Sequence, residues 1–281
     1  MKLVRYGPAG AERPGILDAE GRIRALSPLL PDISVALLSP ESLAILGAID
    51  PERLPLVEGQ PRLGVPVSNF RQIVAIGLNY RDHAVECDMA IPAYPMQFAK
   101  SIAALSGATD DVHIPADARK TDWEVELGFV IGTAARNVAV EDALDHVAGY
   151  CLTIDFSERE WQFDKGGQFG KGKSLDGFAP VGPWLATRDE IVDPQKLPMW
   201  LKVNGQIRQD SSTAEMIFPV AEIVAHLSRY QTLLPGDFII TGTPAGVAFG
   251  MKKPEYLKIG DEVTCGIEGL GEQRHRIALL G

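Results

Sequence analysis

The stretch KTDWEVELGFVIG, residues 120–132, decides how the chain is read. Val125, Leu127, Phe129, Val130 and Ile131 form a β-branched, aromatic and apolar run of strand length, the pattern of a buried strand. Two acids interrupt it. Glu124 and Glu126 are two apart, so on a strand both side chains leave the same face. Carboxylates side by side in a core are costly and repel one another unless a cation lies between them. The alternative is an edge strand with a solvated acidic face.

Outward from this stretch, strands outnumber helices. RQIVAIGL (71–78) reads as a second buried strand, and DFIITGTP and EVTCGIEG as further ones. MWLKVNGQIRQD reads as a hairpin turning at Asn204-Gly205. GILDAEGRIRALS reads as another, turning at Ala19-Glu20-Gly21. Helical spacing appears over VEDALDHVAGY (140–150) and FPVAEIVAHLSRY (218–230). The Gly- and Pro-rich VEGQPRLGVPVSN marks a boundary, giving a small N-terminal unit over residues 1–65 and a main domain over 66–281. The fold class is α+β, mainly β.

A third acid, Asp155, ends the apolar run in GYCLTIDFSERE. Three carboxylates at strand positions suit a hard divalent ion, Mg²⁺ or Mn²⁺, with positions left for water and substrate. In GLNYRDHAVECDM, His83 and Glu86 are three apart on a short helix. A carboxylate that holds one imidazole nitrogen leaves the other free to take a proton from water. The competing reading is a surface ion pair. His113, His146, His226 and His275 read as structural, the first and last in polar surroundings. The segment from Gly167 to Ser174 fits the phosphate-loop pattern in letters, but a polar stretch precedes it and Gly177, Pro180, Gly182 and Pro183 follow. That context lacks the strand and helix the loop requires, so nucleotide binding is rejected and Lys173 is kept as a cation near an anionic substrate. TGTPAGV (241–247) is a Thr- and Gly-rich turn able to bind a carboxylate.

Composition narrows the classes. Across 281 residues the hydrophobic fraction is 46% and the charged fraction 23%, with a net charge of −10 and a pI near 5.0. This balance argues against disorder and against nucleic acid as a partner. No apolar run has membrane-spanning length, the start lacks a signal-peptide core, and Cys87, Cys151 and Cys265 make no disulfide framework. A reduced, soluble, cytoplasmic protein is expected.

In order, GLNYRDH, DWEVELGFVIG, GYCLTIDFSERE, GKSLDGFAPVGP, MWLKVNGQIRQ and PGDFIITGTPAGV resemble the fumarylacetoacetate hydrolase superfamily over roughly residues 70–281. The resemblance implies a mixed β-roll, usually dimeric, that binds Mg²⁺ or Mn²⁺ through Glu124, Glu126 and Asp155. It places the catalytic pair on His83 and Glu86 and the catalytic lysine on Lys173, with Lys171 as the competing position. Substrate contacts fall on Arg159 and Gln162 of the S-E-R-x-x-Q stretch and on Thr243. KTDWEVELG, SEREWQ, GGQFGKGKS and the segment AFGMKKPEYLKIGD look most like the sugar-acid branch, whose members hydrolyse 2,4-diketo-3-deoxy sugar acids such as the L-rhamnonate or L-fuconate to pyruvate and lactate. Relatives with similar motifs act on acylpyruvates or are named ureidoglycolate lyases. The alternatives are an acylpyruvate or fumarylpyruvate hydrolase, a ureidoglycolate lyase, and a decarboxylase or tautomerase of oxaloacetate-like acids, which uses the same metal and enolate but needs no activated water. The implied partners are a small 2-keto acid and a second copy of the chain.

Overall fold

The computed structural model describes residues 1–281. Its largest element is a mixed nine-stranded sheet. The strands run in the order Ile23–Ala25, Arg13–Leu17, Lys2–Tyr6, Leu185–Thr187, Val147–Ile154, Val125–Ile131, Asp237–Ile240, Gln72–Gly77 and Met96–Lys100. All neighbours are antiparallel except Asp237–Ile240 beside Gln72–Gly77. A second sheet of five strands runs Gln206–Ser212, Pro198–Val203, Glu262–Ile267, Gly271–Leu279 and Val112–Ile114. One continuous cluster of buried apolar side chains draws on both sheets.

Val125–Ile131 is central and buried along its whole length, which is why its apolar run lacks the alternation of a half-exposed strand. Its neighbour Val147–Ile154 is equally buried. The helix expected over residues 140–150 is therefore replaced by a 3₁₀ stretch, Val140–His146, and the start of that strand. Sheet pairing overrides the local apolar spacing, because a strand buried on both faces also needs apolar residues throughout. Gly149 is required here: a Cβ would lie 2.3 Å from the Ala186 carbonyl oxygen of the next strand.

The helix Val220–Tyr230 forms as expected, and the hairpin turns at Asn204 and Gly205, both at positive φ. The hairpin of Arg13–Leu17 and Ile23–Ala25 also forms. The first strand pairs Leu3 with Leu185, so the N-terminal segment extends the main sheet. His275, expected in polar surroundings, is instead fully buried against the Phe156 ring. No helix is long and apolar enough to cross a membrane. All three cysteines are free.

Candidate active site

The register of the two central strands assembles the acidic cluster. Val125 pairs with Ile154 and Glu126 with Thr153, so Asp155, one residue beyond its strand, lies opposite Glu124 and donates its N–H to the Glu124 carbonyl at 2.8 Å. Glu124, Glu126 and Asp155 are all buried, and their carboxylate oxygens lie within 4.8 Å of one another. The edge-strand alternative is excluded by that burial.

Three cations reach the same cluster. Lys173 Nζ donates to Glu124 Oε2 at 2.8 Å, Asp155 Oδ2 at 2.5 Å and Ser157 Oγ at 2.8 Å. Lys100 Nζ pairs with Asp155 Oδ1 and donates to the Phe178 carbonyl at 3.0 Å. Arg159 donates from Nε to Asp122 Oδ2 at 2.9 Å and from Nη1 to Gln162 Oε1 at 3.0 Å, while Nη2 lies 2.5 Å from Glu124 Oε1. Four carboxylates, counting Asp122, thus meet three cations. The uncompensated one is Glu126, which has a single strong donor, the Gly242 N–H at 2.7 Å. Burial and the charges of Asp155 and Glu124 push its pKa well above the usual carboxylate range. Burial works the same way on Glu124, but Arg159 and Lys173 outweigh it and hold that carboxyl low.

This donor set fits a hard divalent cation. Three buried carboxylate oxygens converge, and one of them, on Glu126, pairs with no protein cation, so its ionised form is favoured only where a cation is bound. Glu124, Glu126 and Asp155 would be the ligands.

His83 lines the same cavity, and Glu86 is its hydrogen-bond partner. Their helix, Arg81–Glu86, is fixed at its start by buried Asn79, which donates to the Thr241 and Phe218 carbonyls and accepts from the Phe218 N–H. His83 Nδ1 lies 3.2 Å from Glu86 Oε2, and Nε2 has no protein partner. Glu86 is held in turn by the Gly246 N–H at 2.9 Å. Gly250 must be glycine for this approach, because a Cβ there would lie 2.4 Å from the Glu86 carboxyl carbon. Burial disfavours charge on His83, but the bonds to Cys87 and Glu86 and the charge of Glu124 prevail and raise its pKa to about 9. A cation among the carboxylates would cancel the pull of Glu124 and favour the neutral imidazole needed by a base.

The remaining sequence candidates separate clearly. Lys173 is buried in the cluster, whereas Lys171 is exposed and donates to the Lys165 carbonyl, so Lys173 is the one of the two that reaches the carboxylates. Arg159 donates hydrogen bonds from Nε and Nη1, while Nη2 meets Glu124 as an ion pair without a hydrogen bond, and its guanidinium lies over the Phe249 ring. The Thr243 hydroxyl donates to the Val125 carbonyl at 2.9 Å and accepts from Gln209 at 2.8 Å. The turn N–H of Gly242 is spent on Glu126. Among the expected substrate contacts, Gln162 is the one whose amide N–H groups have no protein partner, and it lines the cavity.

Sequence reasoning missed Lys100 and Asp122. Lys100 ends an apolar run in MQFAKSI, and Asp122 lies two residues before the first ligand in TDWE. It also missed the aromatic side of the cavity, formed by Phe98, Phe163, Phe169 and Phe249.

Residues 72–278 match the family model for the fumarylacetoacetate (FAA) hydrolase C-terminal domain. A Burkholderia lata protein named only as a hydrolase is 54% identical over 274 residues, 97% of each chain. The structure of a fumarylacetoacetate hydrolase from Exiguobacterium antarcticum superposes with a TM-score of 0.88 at 36% identity, covering all of both chains. That of maleylpyruvate hydrolase from Sphingobium sp. SYK-6, in complex with manganese(II) and pyruvate, superposes at 0.84 and 30% identity, again over all of both.

Proposed function

The chain belongs to the fumarylacetoacetate hydrolase family, and from that premise we propose that it is a metal-dependent hydrolase of 2,4-diketo acids, releasing pyruvate and a carboxylic acid. The observation that carries this reading is that His83, held by Glu86, lines the same cavity as the Glu124, Glu126 and Asp155 cluster.

Hydrolysis adds water across the C3–C4 bond. The water oxygen bonds to C4, the electron pair of the broken bond goes to C3, and C3 is protonated to become the methyl group of pyruvate. Glu124, Glu126 and Asp155 would hold a divalent cation, which would supply Lewis acidity for the negative charge that develops on the pyruvate half. Glu86 accepts from Nδ1–H and so fixes the His83 tautomer, leaving Nε2 to take the proton of the attacking water. The free amide of Gln162 donates to a substrate oxygen. Lys173 can serve the oxyanion at C4 once one of its three carboxylate and hydroxyl bonds is released.

Within this class the sequence motifs alone point to a 2,4-diketo-3-deoxy sugar acid, cleaved to pyruvate and lactate, but the phenylalanine side chains that line the cavity favour an acylpyruvate with an apolar acyl group. A homodimer belongs to the same proposal, with exposed Val85, Ile91 and Tyr94 beside the His83 helix offering an apolar face.

The test is pyruvate release from acetylpyruvate, 2,4-diketo-3-deoxy-L-rhamnonate and oxaloacetate, with Mg²⁺ or Mn²⁺ and with EDTA. Metal-dependent cleavage of either diketo acid is expected. Turnover of oxaloacetate alone, with CO₂ released, would replace the hydrolase by a decarboxylase.

A further inference from the structure

Resting on the diketo-acid reading, we propose that the group beyond C4 of the substrate is an uncharged, apolar acyl chain or ring, selected by an aromatic wall at the cavity mouth. The wall is continuous. Phe98 packs edge-on against Phe169 at 5.4 Å between ring centroids, Phe169 against Phe163 at 5.5 Å, and Phe163 stacks on Phe249 at 5.2 Å. The four rings come from three separate regions of the chain, and all of them line the cavity that holds His83 and the carboxylates.

The cavity opens on one side, where Phe163 is 40% exposed, Phe249 42%, Met96 41% and Met89 51%, so a tail that leaves the catalytic groups in that direction runs over these side chains. Large apolar side chains left half in water around a polar catalytic centre are a surface awaiting an apolar ligand.

Charge points the same way. A second carboxylate on the tail would need a cation, yet Arg159, Lys100 and Lys173 are all paired with the carboxylates beneath the wall. A hydroxylated tail would need donors and acceptors that the phenylalanine and methionine side chains do not offer. The wall is also held in place rather than loosely draped. Phe249 donates its N–H to Asp122 Oδ2 at 2.9 Å, and its ring covers the Arg159 guanidinium. The same Asp122–Arg159 pair that balances Glu124 therefore positions the specificity wall.

Two measurements separate this inference from the reading beneath it. The first is calorimetric binding of 2-oxo acids that cannot be hydrolysed, in the presence of Mn²⁺: pyruvate, 2-oxohexanoate, 2-oxooctanoate and the dicarboxylate 2-oxoadipate. Affinity should rise about twofold to fourfold per methylene of an apolar tail. 2-Oxoadipate should bind more weakly than 2-oxohexanoate. Phe163→Ser and Phe249→Ser should each flatten the chain-length slope, and Phe163→Arg should turn the preference toward 2-oxoadipate. A flat slope in the wild type, or preference for the dicarboxylate, overturns the inference. The second is kcat/KM for acetylpyruvate, hexanoylpyruvate, benzoylpyruvate, fumarylpyruvate and 2,4-diketo-3-deoxy-L-rhamnonate. Hexanoyl- and benzoylpyruvate should lead the series. A lead by fumarylpyruvate or the sugar acid overturns the inference with the hydrolase reading intact. Failure to cleave any of the five overturns the hydrolase reading, and the binding ladder still decides the tail.

Discussion

Lys173 Nζ lies 2.8 Å from Glu124 Oε2 and 2.5 Å from Asp155 Oδ2, so a buried ammonium bridges two of the three carboxylates that would hold a divalent cation. The lysine and the metal compete for the same charge. Burial opposes the Lys173 charge, but Asp155 and Glu124 outweigh it and raise the pKa above that of an ordinary lysine. Replacing it with methionine strands two carboxylates in the core, and breaking a buried pair typically costs about 3–5 kcal/mol. Lys173→Met should therefore lower the melting temperature of the metal-free protein and tighten Mn²⁺ binding. Saturating Mn²⁺ should restore most of the lost stability without restoring turnover. Melting curves with and without metal, together with calorimetry, check this. Equal destabilisation in both states would mean that the lysine and the ion do not share the site.

The His83–Glu86 pair makes a prediction that divides catalysis from metal binding. His83→Ala should lower turnover by about 10²- to 10⁴-fold, the usual worth of a positioned base, and leave Mn²⁺ affinity nearly unchanged. Glu126→Ala should lose both. Glu86→Gln keeps the side-chain shape but loses the carboxylate that fixes Nδ1–H, so it should reduce kcat more than it changes KM. Wild-type-like turnover by the His83 variant would remove it from the base role.

What was legible in the sequence was local. Glu124 and Glu126 are two apart on one strand, and His83 and Glu86 three apart on one short helix, so spacing alone aims each pair. Asp155 was legible because it ends an apolar run. The rest of the site is long-range. Lys100 meets Asp155 across 55 residues, and Arg159 meets Asp122 across 37. No local period links Phe98 to Phe249. The 140–150 segment misled because a strand buried on both faces satisfies helical apolar spacing by default. The position of the N-terminal hairpin depends on the pairing of Leu3 with Leu185, which nothing in either segment announces.

His275 gives a pH prediction remote from the site. Its Nδ1 lies 2.8 Å from the Asp110 carbonyl oxygen and its Nε2 3.0 Å from Gln273 Oε1, while the Gln273 amide nitrogen donates to the Leu152 and Gly182 carbonyls. A charged ring could donate to both oxygens, a neutral ring to one. Burial wins, and the pKa falls to about 4 despite the pull of Asp110. Because this is below the ordinary value of 6.5, the unfolded chain binds more protons between the two. His275 thus contributes stability that is complete above pH 6.5 and lost as pH falls through about 4. Its total is of order 3 kcal/mol. Denaturant melts at steps between pH 7 and 4 should show this loss, reduced in His275→Gln. A ring that titrates above 6.5 by NMR would reverse the sign.

Gly172 is the residue that lets Lys173 reach the carboxylates. A Cβ at 172 would lie 2.3 Å from the Glu158 carbonyl oxygen and 2.6 Å from the Gln162 backbone nitrogen, both backbone atoms with no room to yield. The helix Phe169–Lys173 would have to withdraw from Arg159–Phe163, carrying Lys173 away from Glu124 and shifting Gln162 at the cavity wall. Overpacking of this kind costs about 1–3 kcal/mol in stability. The functional cost should be larger than that figure suggests, because a displacement of about 1 Å at a catalytic group can lower the rate 10²-fold. Gly172→Ala should therefore fold, bind Mn²⁺ and lose most of its kcat. Gly167→Ala tests the same loop where a Cβ meets nothing within 4 Å, although its backbone sits at positive φ. It should lose modest stability and keep its rate. Equal kcat in the two variants would show that the close approach at Gly172 serves packing alone.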